Sequence, residues 1–318
     1  MDSPLARPRR IKSERRRLPR RLTDRVWDVR RRYTYGIPAA ILLALTLLGL
    51  YAFWLEPNRL VVKRVDIDLP GWPGGRPLRV VAIGDIHGGA PYITVKKIKS
   101  LVQLANRQKP DVVALLGDYV ILGVLGGRFM EPETVADALS GLSAPHGVFA
   151  VLGNHDWWYN GPRLRAALEH AGFEVLEDEV ATITVEGRRV HIAGLADEWT
   201  RRPDVAKTLS LIPDGEPTVV LTHGPDLFPK IPRLNGVTLA AHTHGGQVRL
   251  PFLGAPIVPS RYRQRYVSGL IREEDRLMFV TSGVGTSVLP VRLGVPPEIA
   301  VLTLKGKDQA SPPAAPAP

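Results

Sequence analysis

The most constraining feature of this 318-residue chain is a series of five short polar motifs, each directly after a run of apolar residues. The motifs supply aspartate, histidine and asparagine side chains, and they are Gly84-Asp85-Ile86-His87, Gly117-Asp118, Gly153-Asn154-His155-Asp156, Thr222-His223-Gly224 and His242-Thr243-His244. The preceding apolar runs are Val80–Ile83, Val112–Leu116, Val148–Leu152, Val219–Leu221 and Val237–Ala240. Parallel strands buried on both faces have such continuous apolar sequences, and α/β sites lie beyond the carboxyl ends of strands. The sequence therefore predicts an α/β fold with a metal site at the strand ends.

The side chains of these motifs indicate which metals the site would bind. Carboxylate, imidazole and carboxamide groups, in a chain without cysteine, suit Mn²⁺, Fe, Zn²⁺ or Mg²⁺ and disfavour a thiolate cluster. The ligands are too many for one ion, whereas two ions about 3.5–4 Å apart that share a carboxylate would use them all. Such a pair of ions stabilises both the attacking and the leaving oxygen of a phosphoryl displacement.

In their order along the chain, the five motifs resemble the pattern of the calcineurin-like metallophosphoesterases, from about Leu78 to Leu304. The resemblance implies a four-layer α/β/β/α sandwich and a hydrolase that uses two divalent ions, with Mn²⁺ expected first and Fe, Zn²⁺ or Mg²⁺ as alternatives. It implies that one ion is bound by Asp85, His87, Asp118 and His244. It implies that the second ion shares the bridging carboxylate and is bound by Asp118, Asn154, His223 and His242.

The resemblance also implies catalytic roles for residues of the first and third motifs. His155 would not bind metal but would protonate the leaving oxygen or stabilise the transition state, and either Asp85 or Asp156 would orient it. Many family members have a second aspartate three residues after Gly-Asp, where this chain has Ile121. This departure is expected to change local hydrogen bonding rather than activity.

Three segments carry a narrower resemblance, to the bacterial membrane-anchored subgroup of the family. They are His242–Gln247, Thr281–Thr286 and Leu289–Arg292. Some members of the subgroup are UDP-2,3-diacylglucosamine pyrophosphatases of lipid A synthesis, and others have no settled substrate. The resemblance implies a phosphodiester or pyrophosphate hydrolase, with a lipid-linked phosphate such as UDP-2,3-diacylglucosamine as one candidate substrate.

Two other functions stay open at the level of sequence. A non-catalytic, membrane-tethered protein that binds metal or phosphate would keep the ligands, but it would not need His155. A phosphoprotein phosphatase would need a means of selecting protein segments, and a nearly neutral catalytic domain offers no obvious one. No feature of the chain requires an obligate protein partner.

The positive charge of the chain is concentrated at its N-terminus. The whole chain carries +11, and residues 1–32 contain 13 Lys and Arg against 4 Asp and Glu, a local charge of +9. The rest of the chain therefore carries only +2. Binding to a nucleic-acid backbone requires a basic face on the folded domain. We therefore expect no nucleic-acid partner.

An uncharged segment, Tyr33 to Leu55, follows this basic tail. Its apolar core, Ile37–Leu55, would span about 28 Å as a helix, close to the ~30 Å hydrocarbon core of a bilayer. No small-residue cleavage site follows Leu55, which favours a retained anchor over a cleaved signal peptide. The paired arginines before it leave a twin-arginine export signal as an alternative.

The distribution of charge around this segment predicts its orientation in the inner membrane. By the positive-inside rule, the basic tail lies in the cytoplasm and residues 56–318 lie outside. UDP-linked lipid A precursors are made on the cytoplasmic face, so an external domain would instead meet exported lipids, wall-linked phosphates or periplasmic esters. A short basic hairpin on the inner surface would reverse this orientation.

The same patterns divide the chain into five segments. We expect a basic cytoplasmic tail at 1–32, a transmembrane anchor at 33–55, a lead-in strand and turn at 56–77, the catalytic domain at 78–305 and a disordered Ala/Pro-rich tail at 306–318. Two loops are candidates for substrate contact, Ile121–Met130 after Asp118 and Pro251–Tyr266 after His244. The second loop supplies three candidate phosphate-binding side chains, Arg261, Arg263 and Arg265. We expect structural roles for the remaining histidines, His146, His170 and His191.

Overall fold

The computed structural model describes residues 27, 29–69, 72 and 75–306. Most of the basic tail, residues 70, 71, 73 and 74 of the predicted lead-in segment, and the Ala/Pro-rich tail from residue 307 lie outside these described residues. The chain forms two compact units, residues 1–49 and residues 50–318. The described part of the first unit is a helical, exposed segment, and the second unit contains every strand that the structure describes.

The first helix, α1 (Val29–Asn58), is long and apolar enough to cross a membrane, by its length and composition. It continues past Leu55, where the predicted span ends, because its last turn has partners in the second unit. The Glu56 side chain is buried, and its carboxylate accepts a hydrogen bond from the backbone N–H of Gly294 at 2.9 Å. The Ala52 carbonyl accepts one from the backbone N–H of Arg292, also at 2.9 Å. The charge of Glu56 therefore does not mark the end of the helix.

The described residues form twelve strands in two six-stranded sheets. In chain order the strands are β1 (Val61–Asp68), β2 (Leu78–Ile83), β3 (Val112–Leu116), β4 (Val148–Val151), β5 (Glu174–Val175), β6 (Glu179–Val185), β7 (Arg188–Gly194), β8 (Thr218–Leu221), β9 (Gly236–Ala240), β10 (Gly269–Glu273), β11 (Arg276–Val280) and β12 (Glu298–Lys305). The spatial order is β1-β12-β2-β3-β4-β5 in one sheet and β10-β11-β9-β8-β7-β6 in the other. All five predicted apolar runs are strands, with ends within two residues of the predicted ones.

Helices cover the outer faces of the two sheets. The remaining described helices are α2 (Val95–Arg107), α3 (Pro132–Leu139), α4 (Asn154–His170) and α5 (Val205–Leu209), with short 3₁₀ turns at Pro225–Lys230, His244–Gly246 and Arg263–Tyr266. Successive residues of β2 point to opposite faces, so Val81 packs in the layer that contains α2, whereas Val80 packs between the sheets with Val219 of β8. The predicted four-layer sandwich is confirmed, and burial on both faces explains the continuous apolar strands.

The directions of the strands bring the five motifs to one edge of the sandwich. In the first sheet β2, β3 and β4 are parallel neighbours, and in the second sheet β7, β8 and β9 are parallel neighbours. Their carboxyl ends therefore lie along one edge of each sheet. Each motif that supplies polar side chains begins within two residues of such an end.

Candidate metal centre

Sharp backbone turns follow the strands and direct polar side chains into a common site. Asp85, His87, Asp118, His242 and His244 all have positive φ, between 47° and 69°. Few non-glycine residues adopt this left-handed region, although Asp and His are enriched in it, and such strain concentrates at functional sites. The chain therefore leaves the extended conformation just after each strand, and these side chains lie beyond the sheet edge.

Glycine in the second motif allows two strand ends to approach closely. A Cβ atom on Gly117, which has φ of 86°, would lie 2.6 Å from the Gly153 nitrogen and 2.8 Å from His223 Nδ1. Any other residue would therefore push apart the second, third and fourth motifs. This contact explains why glycine precedes the aspartate at this strand end.

The polar side chains form three overlapping buried groups that could hold a metal ion. The groups are Asp85, His87 and His244; His87, Asp118 and His155; and Asp118, His223 and His242. Within the first group the Nε2 atoms of His87 and His244 are 3.1 Å apart. Within the third, His223 Nε2 lies 3.1 Å from His242 Nδ1 and 3.3 Å from Asp118 Oδ2. Asn154, predicted as a ligand, joins the third group because its Oδ1 lies 3.0 Å from His223 Nε2.

The ring of one histidine in the third group is held in a fixed orientation by a backbone carbonyl. His223 Nδ1 lies 2.8 Å from the Leu116 carbonyl, to which an Nδ1–H donates. Nε2 faces Asp118 and His242. Burial alone would lower the pKa of this ring, but Asp118 raises the pKa well above its usual value, so Nε2 can bind a cation once the cation displaces its proton. A backbone carbonyl commonly orients a metal-binding histidine in this way.

Four buried side-chain atoms of the predicted ligands lack hydrogen-bond partners among the described residues. They are Asp85 Oδ2, His87 Nδ1, His242 Nε2 and His244 Nδ1. A buried polar atom without a partner is unfavourable by a few kcal/mol. Carboxylate oxygen and imidazole nitrogen are ligand atoms for divalent cations. The side chains at this edge are therefore suited to bind a divalent metal ion.

Burial and mutual charge set the protonation of these groups. Burial lowers the pKa of His87 and of His242 to about 3, which keeps both imidazoles neutral and able to bind a cation. Burial likewise raises the pKa of Asp85 to about 7. Burial alone would raise the pKa of Asp118 as well, but the neighbouring His223 holds it well below its usual range. Asp118 is therefore the most firmly ionised carboxylate of the site.

The orientation of His155 differs from the expected contact with a carboxylate. Its Nδ1 accepts a hydrogen bond from the backbone N–H of Leu122 at 3.2 Å, whereas the carboxylates of Asp85 and Asp156 have other partners. The exposed Trp158 ring packs beside the imidazole at 5.1 Å between centroids. Because an N–H donates to Nδ1, the proton of the neutral ring is carried on Nε2.

The carboxylate of Asp156 organises the loops that carry the ligands. It accepts hydrogen bonds from the backbone N–H groups of Gly153, Asp118 and Tyr119 at 2.8–2.9 Å. It lies three residues after the N-cap of α4, where its negative charge also interacts favourably with the helix dipole. Its role in this structure is thus to fix the second motif against the third.

The predicted arginines of the Pro251–Tyr266 loop lie in different environments. Arg261 borders a cavity of about 420 Å³ together with Glu198, Trp199 and Asp226. Arg265 is paired with Glu273, and Arg263 is exposed at the start of a 3₁₀ turn. The cavity adjoins the metal-binding groups, since the Trp199 ring packs against His242 at 4.9 Å between centroids.

The three histidines expected to be structural lie apart from the metal-binding groups. His170 is the last residue of α4, and His146 lies in the turn before β4. His191 is buried in β7, where its ring bonds to Thr182 and Glu216. None of them belongs to a group of potential metal ligands in the described part of the chain.

The sequence of residues 78–252 matches the family described as calcineurin-like phosphoesterase, over more than half of the chain. The chain belongs to this family. Members use divalent metals, which agrees with the buried Asp and His groups described above. As a calcineurin-like phosphoesterase, the protein is a metal-dependent hydrolase of phosphate esters.

Individual relatives support the family over most of the chain. The protein is 32% identical over 259 residues to the uncharacterized metallophosphoesterase YkuE of Bacillus subtilis (strain 168), an alignment that covers 80% of this chain and 89% of that protein. It is 31% identical over 235 residues to the phosphodiesterase YaeI of Escherichia coli (strain K12), with 72% and 82% covered. Among solved structures, a 5'-nucleotidase precursor from Thermus thermophilus aligns with 18% identity and a TM-score of 0.41, covering 65% of this chain and 49% of that one.

Sequence reasoning did not identify Arg292 as part of the phosphoesterase site. Its side chain is fully buried and donates to several backbone carbonyls, among them Ser282, Gly285 and Val295 at 2.6–3.1 Å. The Gly285 N–H in turn donates to the Asp85 carbonyl at 2.7 Å. Arg292 therefore holds the loop that packs against a predicted metal ligand. The residue lies in the Leu289–Arg292 segment, but its identity alone did not indicate this role.

Replacing Arg292 by lysine is expected to lower stability and to weaken metal binding. A lysine ammonium cannot reproduce the planar fork of donors, so about three carbonyls lose their bonds, for a loss of about 3 kcal/mol in the free energy of unfolding. For a domain of this size the midpoint of thermal unfolding should fall by roughly 6–12 °C. Metal content and hydrolysis should fall as well, because the loop supports Asp85.

Arg276 provides the matched control for this substitution. Its Nη1 donates to the carbonyls of Phe228, Pro229 and Ile231, on the second sheet and away from the ligands. Arg276→Lys should therefore lower the midpoint without changing metal content. If Arg292→Lys retained full metal content, the positioning role of Arg292 would be disproved.

Removal of metal is expected to destabilise the protein. A ligand that binds only the folded state adds about 2.7 kcal/mol at a concentration of 100 times its Kd. Thermal unfolding followed in excess Mn²⁺ and then in excess EDTA should therefore show a midpoint several degrees lower in EDTA, restored by added metal. An unchanged midpoint would show that the buried ligand groups do not hold an ion.

Proposed function

We propose that the protein is a phosphodiesterase with two divalent metal ions, tethered to a membrane by its N-terminal helix, which hydrolyses a lipid-linked phosphate. The observation that carries the two-metal proposal is the position of Asp118 between two groups of ligands. Its Oδ2 lies 3.6 Å from His87 Nε2 and 3.3 Å from His223 Nε2. One ion would be held by Asp85, His87, Asp118 and His244, and the other by Asp118, Asn154, His223 and His242. Mn²⁺ is the first ion to test, with Fe, Zn²⁺ and Mg²⁺ as alternatives.

The chain's own residues supply proton donation and orientation for the proposed reaction. When bound, the ions would provide positive charge that stabilises the attacking and leaving oxygens. His155 carries its proton on Nε2, since Nδ1 accepts from Leu122, and so can donate to the leaving oxygen. Asp156 keeps the loop of Asp118 in place through backbone N–H groups.

Two cavities beside the ligand groups support a substrate with an apolar and a polar part. An apolar cavity of about 520 Å³ is lined by the Ile121–Met130 loop and by Tyr159. It adjoins the proposed proton donor because Leu122 contacts His155. The cavity beside Trp199 contains Arg261 among its lining residues and is the better candidate for a phosphate or polar headgroup. Acyl chains would suit the first cavity, as expected for a lipid-linked phosphate.

A comparison of substrates tests this function. The full chain, purified in detergent and loaded with Mn²⁺, should hydrolyse UDP-2,3-diacylglucosamine or another lipid-linked phosphate faster than water-soluble phosphodiesters by several decades. Equal rates on the lipid-linked and the water-soluble substrates would contradict the proposal of a lipid substrate but not the proposal of phosphodiesterase activity. Two equivalents of bound metal without hydrolysis of any ester would instead favour a non-catalytic binding protein.

The proposed topology places the N-terminus in the cytoplasm and the catalytic domain, residues 78–305, outside the inner membrane. It is supported by the local charge of +9 before the apolar helix. A reporter that is active only in the periplasm, fused after Pro318, should be active. An inactive fusion, together with activity of a cytoplasmic reporter at the same position, would reverse the topology and strengthen UDP-2,3-diacylglucosamine as the substrate.

A further inference from the structure

Large apolar side chains project into solvent from three loops next to the metal-binding groups. The most exposed apolar side chain of each loop is Leu125 at 65%, Phe252 at 106% and Val288 at 67%. We name this set the apolar rim, and its members are Leu125, Phe252, Leu253, Ile257, Val288 and Leu289. Soluble proteins rarely expose several large apolar residues close together unless the surface binds a partner or a membrane.

Hydrogen bonds join the Leu125 and Val288 loops to each other and to Gln247, which leads into the loop of Phe252. The backbone N–H of Leu125 donates to the Val288 carbonyl at 3.0 Å. The Gln247 side chain donates to the Ser287 and Leu289 carbonyls at 3.0 and 3.3 Å, and its backbone N–H donates to the His244 carbonyl. The exposed loops are therefore attached to a predicted metal ligand, and the apolar rim borders the site.

Two of these exposed side chains belong to residues with a strained backbone. Val288 and Phe252 have φ of 61° and 66°, a region that β-branched and bulky residues avoid. Neither side chain is buried in return for this strain, since both point into solvent. Strain of this kind concentrates at ligand-binding and switch regions. A binding partner for the exposed Val288 and Phe252 side chains would explain this strain.

The same surface continues to the end of the apolar helix. Within residues 50–318, the Ala52 carbonyl accepts from the backbone N–H of Arg292, and the Phe53 carbonyl accepts from the Tyr92 hydroxyl at 2.7 Å. Arg292 lies only three residues after Leu289 of the apolar rim, and Phe53 and Trp54 are themselves exposed. The last apolar residues of the candidate membrane helix and the apolar rim thus belong to one side of the catalytic unit.

The charges around the apolar rim favour a lipid surface over a second protein copy. Arg128, Arg249 and Arg261 are exposed on or beside the rim loops. Apolar side chains flanked by arginines suit the interface of a membrane that contains anionic lipids, where the apolar groups reach the acyl boundary and the arginines contact headgroup phosphates.

We infer that the apolar rim inserts into the surface of the bilayer in which the helix is anchored, so that the metal site opens toward lipid headgroups. This inference rests on the membrane anchoring in the proposed function and extends it from a tether to a docked orientation. The substrate would then enter from the membrane plane, with its phosphate near the ligands and its acyl chains still close to the lipid phase.

The absence of cysteine allows a direct test on the full chain. Leu125→Cys, Phe252→Cys and Val288→Cys would each carry an environment-sensitive fluorophore, in protein reconstituted into vesicles of phosphatidylcholine and phosphatidylglycerol. Asp214→Cys is the matched control, because Asp214 is exposed and precedes β8 at the sheet edge opposite His223. Nitroxides attached to the lipid acyl chains should quench the three rim labels several-fold more strongly than the control label.

Each outcome of this experiment decides the inference. Quenching of the rim labels no stronger than that of the Asp214 label would overturn the docking. Rim labels shielded from water but unquenched by the lipid nitroxides would show that a second copy covers the rim, which also overturns it. Hydrolysis of a soluble phosphodiester, measured in the same preparations, reports separately on the proposed function, because the quenching comparison does not depend on turnover.

Discussion

The Asp118→Asn variant is expected to lose both bound metal and hydrolysis. Asparagine keeps the shape of the side chain, and its carbonyl oxygen can still accept the hydrogen bond that the His155 backbone N–H gives to Asp118 Oδ1 at 2.9 Å. The atom at the Oδ2 position, which faces His87 and His223, can become an amide nitrogen that binds no cation. The shared negative charge is lost in every orientation of the amide.

The expected loss of turnover follows from the contribution of the metal. A bound divalent ion contributes several kcal/mol of charge stabilisation, and about 4 kcal/mol corresponds to ~10³ in rate. The metal content of the purified variant, measured by mass spectrometry, should fall together with the turnover. The response of the thermal midpoint to EDTA should also disappear, because no ion remains to be removed.

Asp111→Asn is the matched control for this variant. Asp111 precedes the same strand, β3, at its other end, and is a buried carboxylate that accepts from the backbone N–H of Arg79. Its substitution should reduce stability but leave metal content and turnover intact. Normal turnover of Asp118→Asn under the same conditions would refute the two-metal site.

Replacement of His155 by alanine should preserve metal content and reduce turnover by about 10²–10⁴-fold, as for a lost general acid. The reduction should depend on the leaving group. An alkoxide needs a proton as it departs, whereas p-nitrophenolate is stable without one. The defect should therefore be large for an alkyl phosphodiester and small for a p-nitrophenyl ester.

His191→Ala is the matched control for a lost buried histidine. His191 lies in β7, and its ring bonds to the side chains of Thr182 and Glu216, away from the predicted metal ligands. Its removal should affect stability and leave the dependence on the leaving group unchanged. An equal defect of His155→Ala on both classes of ester would contradict proton donation, and a loss of metal would indicate that His155 is a ligand.

The sequence by itself determined the strands and the set of polar residues at their ends. The run Val112–Leu116 is apolar throughout because β3 is buried on both faces, and this local pattern coincides with the observed strand. The position of Asp118 beyond its carboxyl end then follows from chain order alone. Strand direction converts this spacing into proximity, which is why Asp, His and Asn residues far apart in the chain could be grouped before the structure was known.

The tertiary structure decided which partners orient these residues. The contact of His155 with Leu122 involves a backbone N–H, which every non-proline residue has, so no sequence pattern marks it. The burial of Glu56 depends on Gly294, 238 residues later in the chain. From the sequence alone, the charge of Glu56 therefore suggests the end of the apolar helix, because its distant partner is not apparent.

The exposure of the rim loops was likewise beyond local reasoning. Val288 is apolar and β-branched, so the sequence would favour a buried strand position for it. Its positive φ and its solvent exposure arise instead from contacts with the loops of Gln247 and Leu125. The local sequence pattern determines which residues end each strand, because strand formation depends on the apolar character of neighbouring residues. Only long-range packing decides which side chains meet and which remain exposed.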